Sequence, residues 1–393
     1  MSKKRERIIL EEGKRLSQSL LWELQTAAYS QYSVAAWREK GVPHYITSNP
    51  YIARRYALMV AAYLEDIRDT ISSDAPVYIF DLGAGTGRFG YLFLKAFIPL
   101  CERFHFDFKI RYVMTDMVEG NIAFWRGHER LKPFCDKGQL DFACYTAGES
   151  TEMHLLLSGE KVSRDSTVNP SIVIANYFFD TISQDLFRCE NGKLYEGRVT
   201  LYGEGEKGCD VRDPALIPTL SCDYDYSHEV KGEGYYDDEG LNAVLQWHME
   251  TFDVATFMLP VGGIRMLRDF QRHVSSRFLL LAGDQGVCTE EQVQRWGDPA
   301  VSLHGTFSIP VSYYALSYDI QRSGGEVFLT SHPVHTFVNM AAVSYGSEGG
   351  FHRLAHAFKE HVEAFEPYDY WELVNGFEAV IPSLSVAQIL AVL

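Results

Sequence analysis

The sequence predicts an α/β protein with a doubly wound, mostly parallel sheet, and two observations lead to that fold class. Short apolar runs at residues 77–81, 170–176 and 278–282 are separated by helix-like segments, as expected for parallel strands buried on both faces. The first run ends in Asp81-Leu82-Gly83-Ala84-Gly85-Thr86-Gly87, and helical apolar spacing follows. A strand, a glycine turn and a helix in this order place backbone N–H groups at a nucleotide cofactor.

Composition limits the class of protein and its partners. The chain has 393 residues, 46% of them hydrophobic and 22% charged, which is ordinary for a soluble globular protein. A formal net charge of -16 argues against general nucleic-acid binding and leaves room for a basic protein or peptide substrate. The charged N-terminus does not resemble a secretory signal, and no apolar run approaches the length of a membrane span. We therefore expect a cytoplasmic protein with no membrane or nucleic-acid partner.

Cysteine and histidine usage adds two expectations. The 7 cysteines are scattered singly, which indicates reduced thiols in a cytoplasm. The 13 histidines show no zinc-binding spacing, so no metal is expected.

The N-terminal part is predicted to be helical. Apolar positions between residues 7 and 40 recur at helical spacing and predict two helices that brace the rest. A further helix is expected over residues 52–71, capped by Ser48 or Asn49. Thr47 and Ser48 serve either that cap or a cofactor. After the glycine turn, the helix of residues 89–97 is expected to end near Pro99.

Polar residues follow the predicted strands. Strand two, residues 108–116, ends in Asp116, where an acid can accept hydrogen bonds from ribose hydroxyls. Strand three is residues 140–144, and strand four ends in Asn176, with Asp180 just beyond. Both lie where the ligand crevice of such a sheet is expected, although Asn and Asp also end strands for turn reasons.

The second half is less regular. A hairpin strand is predicted over residues 193–201, and an acidic, tyrosine-rich region follows to residue 240. That region suits either a solvated loop or an insertion that grips a cationic group. We predict helices at 241–258 and 313–322, strands at 326–330 and 337–345, and a helical tail whose apolar end indicates a longer chain. The predicted domains are a helical brace at 1–72, a cofactor-binding core at 73–190, an insertion or substrate cap at 191–274, the rest of the core sheet at 275–345 and a helical tail at 346–393.

The acid before the glycine turn separates two cofactor classes. Gly85-x-Gly87-x-x-Gly90 also fits the dinucleotide pattern, which taken alone is weak. A carboxylate at position 81 would repel a pyrophosphate, but it can attract the ammonium group of S-adenosylmethionine. The spacing therefore favours S-adenosylmethionine over NAD. The predicted cofactor contacts are Thr47, Asp81, Gly83, Ala84, Gly85, Gly87, Asp116, Met117, Thr146, Ala147 and Asn176.

Four segments together resemble the MidA-like family of class I methyltransferases, which includes a mitochondrial arginine methyltransferase needed for complex I assembly. They are Tyr45-Ile46-Thr47-Ser48, the Asp81–Gly87 turn, Ala175-Asn176-Tyr177-Phe178-Phe179-Asp180, and Leu281-Ala282-Gly283-Asp284-Gln285-Gly286 with the later Leu303 and His304. The resemblance implies a Rossmann-like methyltransferase core with N-terminal helices and an insertion after strand four. It also implies a protein arginine as the substrate. The chain departs from the family where Tyr177 replaces Glu and Thr181-Ile182-Ser183 replaces Ala-Leu-Pro.

Three residues are candidates for catalysis. Asp180 and Asp284 are predicted to line the acceptor pocket at the strand ends, and a carboxylate there would orient an arginine and take its proton. His304 would act as the base for a neutral acceptor, and otherwise it is a structural residue. Two alternatives remain: a methyltransferase-like binding module that has lost catalysis, favoured by Tyr177, and an NAD-dependent oxidoreductase, disfavoured by Asp81.

Overall fold

The structure, a computed structural model, describes residues 6–42, 47–206, 208–330, 337–347 and 349–364, with residues 369, 373, 375, 376 and 385. The strands are β1 Glu6–Arg15, β2 Val77–Asp81, β3 Ile110–Asp116, β4 Leu140–Cys144, β5 Met153–His154, β6 Lys161–Val162, β7 Ser171–Asn176, β8 Asp185–Glu190, β9 Lys193–Gly205, β10 Ser221–Val230, β11 Val254–Leu259, β12 Phe278–Val287, β13 Ser302–Leu303, β14 Phe307–Ser308, β15 Val311–Ser312, β16 Glu326–Leu329 and β17 Phe337–Val343. The helices are α1 Leu20–Tyr32, α2 Ala35–Arg38, α3 Pro50–Asp66, α4 Arg88–Arg103, α5 Glu119–Arg126, α6 Lys132–Asp136, α7 Glu239–Thr251, α8 Val261–His273, α9 Glu290–Arg295, α10 Tyr313–Arg322 and α11 His352–Phe358.

The chain forms two compact units, each made of three separate segments. The first unit contains Met1–Val42, Phe178–Arg268 and Asp284–Arg322, and the second contains Pro43–Tyr177, Asp269–Gly283 and Ser323–Leu393. Each of the five predicted domains is one continuous stretch of the chain. Each observed unit combines three stretches, because strands distant in sequence pair with each other.

The second unit contains the predicted parallel sheet. Its strand order is β16-β17-β12-β7-β2-β3-β4. β2, β3, β4, β7 and β12 run parallel, and β16 is antiparallel to β17. The chain moves from β2 to β3 and β4 on one side and then resumes at β7 on the other side of β2. Ligands of doubly wound sheets bind where the order reverses in this way, at the carboxyl ends of the strands.

Burial in this unit follows the sequence pattern. All five residues of β2 are buried, as expected for a strand covered by helices on both faces. Helix α3 begins at Pro50, and the Asn49 side chain caps it by accepting a hydrogen bond from the N–H of Ile52, at 2.9 Å. This confirms the predicted cap and identifies Asn49, not Ser48, as the capping residue.

The first unit is built on a second, antiparallel sheet. Its strand order is β1-β9-β8-β11, and β10 also pairs with β9. One face packs against α1 through a cluster that includes Leu21, Leu24 and Leu201. The N-terminal segment therefore completes a sheet formed mainly by residues 185–259.

The predicted helical character of the first residues of this segment is wrong, because residues 6–15 form the strand β1. Two helices do lie within the predicted segment 7–40, as α1 and the short α2. Register shifts between Ile9 and Glu11 and between Glu11 and Lys14 break the two-residue alternation of β1. Its apolar positions therefore do not show the period of a strand.

Two further boundaries differ from the prediction. Helix α4 continues through Pro99 to Arg103. Pro99 is exposed, so the carbonyl that its missing N–H leaves unpaired lies on the solvent side of the helix. The predicted helix 241–258 ends at Thr251, and the β-prone residues after it form β11.

The acidic, tyrosine-rich region is more regular than a loop. Ser221–Val230 forms β10, in which exposed and half-buried residues alternate along the strand. The N-terminal Tyr45-Ile46 motif, most of the tail beyond residue 364 and the final apolar run lie outside the described residues. Within the described residues, no helix is long and apolar enough to cross a membrane, and no cluster of three metal-ligating side chains is found.

Candidate functional site

The turn after β2 has a backbone that requires glycine. Gly83, Gly85 and Gly87 have φ angles of 63°, 54° and 71°, in the left-handed region that other residues rarely adopt. A Cβ atom on Gly87 would also lie 2.5 Å from Cε of Met114 and 2.9 Å from Cδ1 of Trp125. The alternating glycines are therefore explained by backbone conformation and, at Gly87, by close packing.

Asp81 ends β2 with a buried carboxyl group. Its side chain is 4% exposed, and Oδ2 accepts a hydrogen bond from the Tyr112 hydroxyl at 2.9 Å. Burial raises the pKa of Asp81 to about 7, although the Tyr112 bond opposes that rise. A cationic ligand group nearby would favour the ionised form and lower this pKa again. The predicted contact of Asp81 with the ammonium group stays a prediction.

Asp116, at the end of β3, holds the glycine turn in place. Its Oδ2 accepts hydrogen bonds from the Gly85 N–H at 3.1 Å and from the Asn121 amide at 3.0 Å, and its Oδ1 accepts from the Val118 N–H at 2.9 Å. The Trp125 indole donates to the Gly85 carbonyl at 2.9 Å. Gly85 is thus fixed through both its N–H and its carbonyl. Burial raises the pKa of Asp116, and these hydrogen bonds limit the rise.

The sequence did not identify Tyr112, Asn121 and Trp125 as part of this site. All three are buried, and the helical or strand pattern around them reads as ordinary core. For Trp125 one sequence signal was available, because a buried indole N–H usually needs an acceptor.

The other predicted cofactor contacts belong to the same unit. Asn176, at the end of β7, accepts a hydrogen bond from the Tyr56 hydroxyl at 2.7 Å. The N–H of Thr146 donates to the Ser150 hydroxyl at 3.1 Å, in the turn after β4. Thr47 is buried just before α3. Gly83 is exposed and Ala84 is half-buried in the turn after β2. Met117 lies in the turn after β3, and Ala147 lies in the turn after β4. Because β2, β3, β4 and β7 are parallel, these turns lie at one edge of the sheet.

Asp180 and Asp284 belong to the first unit and meet there as a buried pair. The N–H of Asp180 donates to Oδ2 of Asp284 at 3.0 Å, and both side chains are almost wholly buried. Burial raises the pKa of Asp180 to about 7 and that of Asp284 well above its ordinary value, and the charge of Asp180 raises the second further. Within the part of the chain that the structure describes, Oδ1 of Asp180 is buried without a hydrogen-bond partner. Burial and the repulsion between the two charges therefore both favour the protonated form of the pair.

His304 lies in the turn between β13 and β14. Its Nε2 is 3.0 Å from the Ser308 hydroxyl, and its Nδ1 is buried with no hydrogen-bond partner in the described segments. Burial lowers the pKa of His304, so the ring is neutral at physiological pH. The structure thus assigns His304 a hydrogen bond inside its own hairpin, and its predicted role as a base stays a prediction.

Comparisons with solved structures bear on the fold. One match is the crystal structure of a superfamily member and methyl transferase candidate from Burkholderia thailandensis bound to S-adenosyl-homocysteine, at 13% identity and a TM-score of 0.54. The alignment covers 87% of this chain and 90% of that one. A second structure from the same organism, of an uncharacterised protein, matches at 14% identity and a TM-score of 0.47 over 86% and 93% of the two chains. The magnesium protoporphyrin IX methyltransferase of Synechocystis with bound S-adenosyl-homocysteine matches at 9% identity and a TM-score of 0.33, covering 81% and 96%.

Sequence comparisons find less. No protein-family model matches the chain, and a search of curated proteins finds no match. The structural likeness therefore shows the fold. Together with the strand order and the glycine turn, it confirms the predicted fold class: the chain has the Rossmann-like fold of class I methyltransferases.

Proposed function

We propose that the protein binds S-adenosylmethionine and transfers its methyl group. The observation that carries this proposal is the glycine turn, in which the buried Asp81 precedes three left-handed glycines at the switch point of a class I methyltransferase sheet. The Burkholderia structure of the same fold was crystallised with S-adenosyl-homocysteine, which supports the cofactor class. The raised pKa of Asp81 supports it further, because a buried carboxyl group gains most from a cationic partner.

The residues present fit this cofactor. The Asp81 carboxylate would face the ammonium group. Asp116 would hold Gly85 in position through its N–H and accept hydrogen bonds from ribose hydroxyls. The cofactor supplies an activated methyl group on a sulfonium. The chain's own contribution is to position the acceptor and exclude water, which suffices for much of the rate of a displacement reaction.

Calorimetry with S-adenosylmethionine, S-adenosyl-homocysteine and NAD tests the cofactor. Gly85→Arg is the control, because a side chain there needs a left-handed backbone and enters the buried turn. We expect the first two ligands to bind and the variant to lose both. Binding of NAD alone, or of none of the three, would contradict the proposal.

For the acceptor we propose a protein side chain, with arginine as the leading candidate. The net charge of -16, which attracts basic peptides, supports a protein acceptor, and the resemblance to the MidA-like family supports arginine. Methylation forms a C–N bond, breaks the C–S bond and leaves the guanidinium with one proton to lose. Asp180, with a pKa of about 7, would accept that proton.

The acceptor test uses Asp180→Asn, which keeps the shape of the side chain and cannot accept a proton. Methyl transfer from labelled cofactor to arginine-rich peptides is compared with transfer to matched peptides carrying lysine at the same positions. We expect transfer to the arginine series only, and a loss of at least about a hundredfold in the variant with cofactor affinity unchanged. Transfer to the lysine series, or an unaffected variant, would reject the arginine assignment.

One observation favours a second candidate function, a cofactor-binding module without catalysis. Tyr177 stands at the position of the family's Glu, so the carboxylate that the family carries there is missing from this chain. Binding of S-adenosyl-homocysteine without transfer to any peptide series would support this candidate.

A further inference from the structure

A second polar cluster lies over Gly283, in the unit that carries the glycine turn. Gly283 on β12 pairs with Asn176 on β7, and β17, which contains Asn339, is the next strand beyond β12. A Cβ atom on Gly283 would lie 3.2 Å from Oδ1 of Asn339 and 3.2 Å from the Tyr56 hydroxyl. The absence of a side chain at Gly283 therefore lets the Asn339 amide and the Tyr56 hydroxyl approach the same point above the sheet, and Asn176 joins them through its hydrogen bond with Tyr56.

Two amide groups of this cluster have unused hydrogen-bond donors. Nδ2 of Asn176 and Nδ2 of Asn339 are both buried without a partner among the described residues, and Asn339 is only 3% exposed. The Tyr56 hydroxyl donates to Oδ1 of Asn176 at 2.7 Å, which fixes which side of that amide is the oxygen and which is the NH₂ group. Buried hydrogen-bond donors in native proteins are nearly always paired. Two unpaired NH₂ groups at the edge of the sheet where ligands bind therefore indicate that a ligand atom is their partner.

The backbone around Asn339 is already satisfied. Its N–H donates to the Thr330 hydroxyl at 3.3 Å, and its carbonyl accepts from the Thr330 N–H at 3.2 Å. The strand is thus fixed, and the side-chain amide is what the residue offers to a ligand.

The chemistry of the missing partner follows from the donors. Two neutral NH₂ groups are satisfied by an oxygen that accepts hydrogen bonds, as in a carboxylate or a carbonyl. Guanidinium and ammonium groups carry donors only, so they cannot satisfy these two NH₂ groups. Phe337 borders the cluster, because its Cζ would lie 3.1 Å from a Cβ on Gly283 and its ring meets Tyr177 edge-on at 5.7 Å. The oxygen would therefore be bound beside an apolar wall.

The place of the cluster in the sheet indicates which ligand brings the oxygen. β17 is three strands from β2, or about 14 Å at the usual spacing between neighbours. The glycine turn after β2 positions the cofactor, so Asn339 lies beyond it in the direction of β7 and β12. We propose that Asn176 and Asn339 form an amide pair that binds a carboxylate or peptide-carbonyl oxygen of the methyl acceptor. The link to the methyl acceptor rests on the proposed function, whereas binding of the oxygen does not.

This pair adds to the acceptor assignment a contact that the arginine side chain cannot make. A peptide substrate would present a backbone carbonyl to the two amides, and its guanidinium would remain free to receive the methyl group. A small acid would present its carboxylate instead. These two sources share one chemistry and are separated by the choice of probe.

Nuclear magnetic resonance of the full chain tests the pair directly. The side-chain NH₂ signals of Asn176 and Asn339 are followed in ¹⁵N-labelled protein during titration with acetate, as the carboxylate probe, and with N-methylacetamide, as the peptide probe. Guanidinium chloride and sodium chloride are the negative controls. Asn169 is an internal control, because it is buried and its amide already donates to the carbonyls of Ser72 and Ala75, both at 2.9 Å.

We expect saturable shifts of the Asn176 and Asn339 signals with at least one oxygen probe and unmoved Asn169 signals. Asn339→Asp keeps the shape and removes the donors, so it should weaken the binding of acetate by at least about tenfold, a change of about 1.4 kcal/mol. Response to acetate alone identifies a carboxylate, and response to N-methylacetamide alone identifies a peptide carbonyl. Equal shifts with the chloride salts, or no shift with either probe, would overturn the proposal.

The same titration separates this inference from the proposed function. It is run with and without S-adenosyl-homocysteine. If the cofactor product does not bind but the oxygen probes shift both asparagines, the proposed function fails while the oxygen-binding pair stands. If the product binds and the probes have no effect, only the amide pair is rejected.

Discussion

Replacing Asp180 by Asn should change how stability depends on pH. Burial raises the pKa of Asp180 from an ordinary 3.8 to about 7, so the folded protein keeps a proton that the unfolded chain has already released. The folded state therefore binds more protons between about pH 4 and pH 7, and the free energy of unfolding falls as pH rises through that window. The difference between the two pKa values corresponds to about 4 kcal/mol. Asn cannot ionise, so the free energy of unfolding of the variant should not fall for this reason as pH rises.

The structure also predicts that Asn is tolerated at this position. The Asp180 N–H still donates to Oδ2 of Asp284 in the variant, because that bond uses the backbone. An Asn side chain resembles the protonated carboxylic acid, which is the form that burial favours. We therefore expect little loss of stability at low pH and a gain relative to the wild type above neutrality.

Urea unfolding near pH 5 and near pH 8 measures the effect. Between these two conditions the wild type should lose more free energy of unfolding than Asp180→Asn, by about 2.5 kcal/mol, because part of the total of about 4 kcal/mol is lost below pH 5. Asp81→Asn is the matched variant in the second unit, where the pKa is also raised to about 7, and it should remove a separate step of similar size. Parallel pH dependences for the wild type and Asp180→Asn, or equal destabilisation of the variant at both pH values, would refute the buried-pair reasoning.

The remaining predictions concern the second unit. Gly87→Ala should destabilise the protein more than Gly138→Ala, by about 1–3 kcal/mol in urea unfolding, because both glycines have positive φ but only Gly87 has neighbours within 4 Å of the new Cβ. Equal losses would show that backbone conformation alone sets the cost. Trp125→Phe removes the donor to the Gly85 carbonyl and should cost about 1 kcal/mol with weaker binding of S-adenosyl-homocysteine; calorimetry that finds unchanged affinity would reject a role in holding the turn. Asn49→Ala removes the cap of α3 and should cost about 1 kcal/mol, whereas Asn49→Ser should restore most of it.

The parallel sheet was predictable because its strands carry a local signal. Each is a short apolar run that ends in a turn, and burial on both faces makes the run continuous, as in the five buried residues of β2. The glycine turn was predictable for the same reason, since an acid and three glycines at fixed spacing specify a backbone conformation. Helix α10 and the strands around it also follow the predicted positions.

The antiparallel sheet was not predictable to the same degree. β1 has register shifts that remove its alternation, and β11 follows α7 after only two residues, so both strands read as parts of helices. Their identity depends on pairing with β9 and β8, which local sequence does not contain.

The sequence predicted single residues of the site but not the contacts between them. Asp81, Asp116 and Asn176 were identified from strand ends, yet the groups that hold them, such as Tyr112 and Tyr56, come from elements read as core. The Asp180–Asp284 contact joins residues 104 positions apart, and spacing along the chain gives no measure of such a distance.

The interleaving of the two units constrains how the chain can fold during synthesis. β1 cannot pair until β9 has emerged, and the bond between Arg15 and Glu196 closes a loop of 181 residues. The parallel sheet of the second unit is completed later still, because β12 and β17 are synthesised after every strand of the antiparallel sheet. Long-range pairing of this kind slows folding and leaves strand edges exposed to aggregation or chaperones in the meantime. It also means that no single cut in the chain releases either unit intact, so the protein is better dissected by point substitution than by truncation.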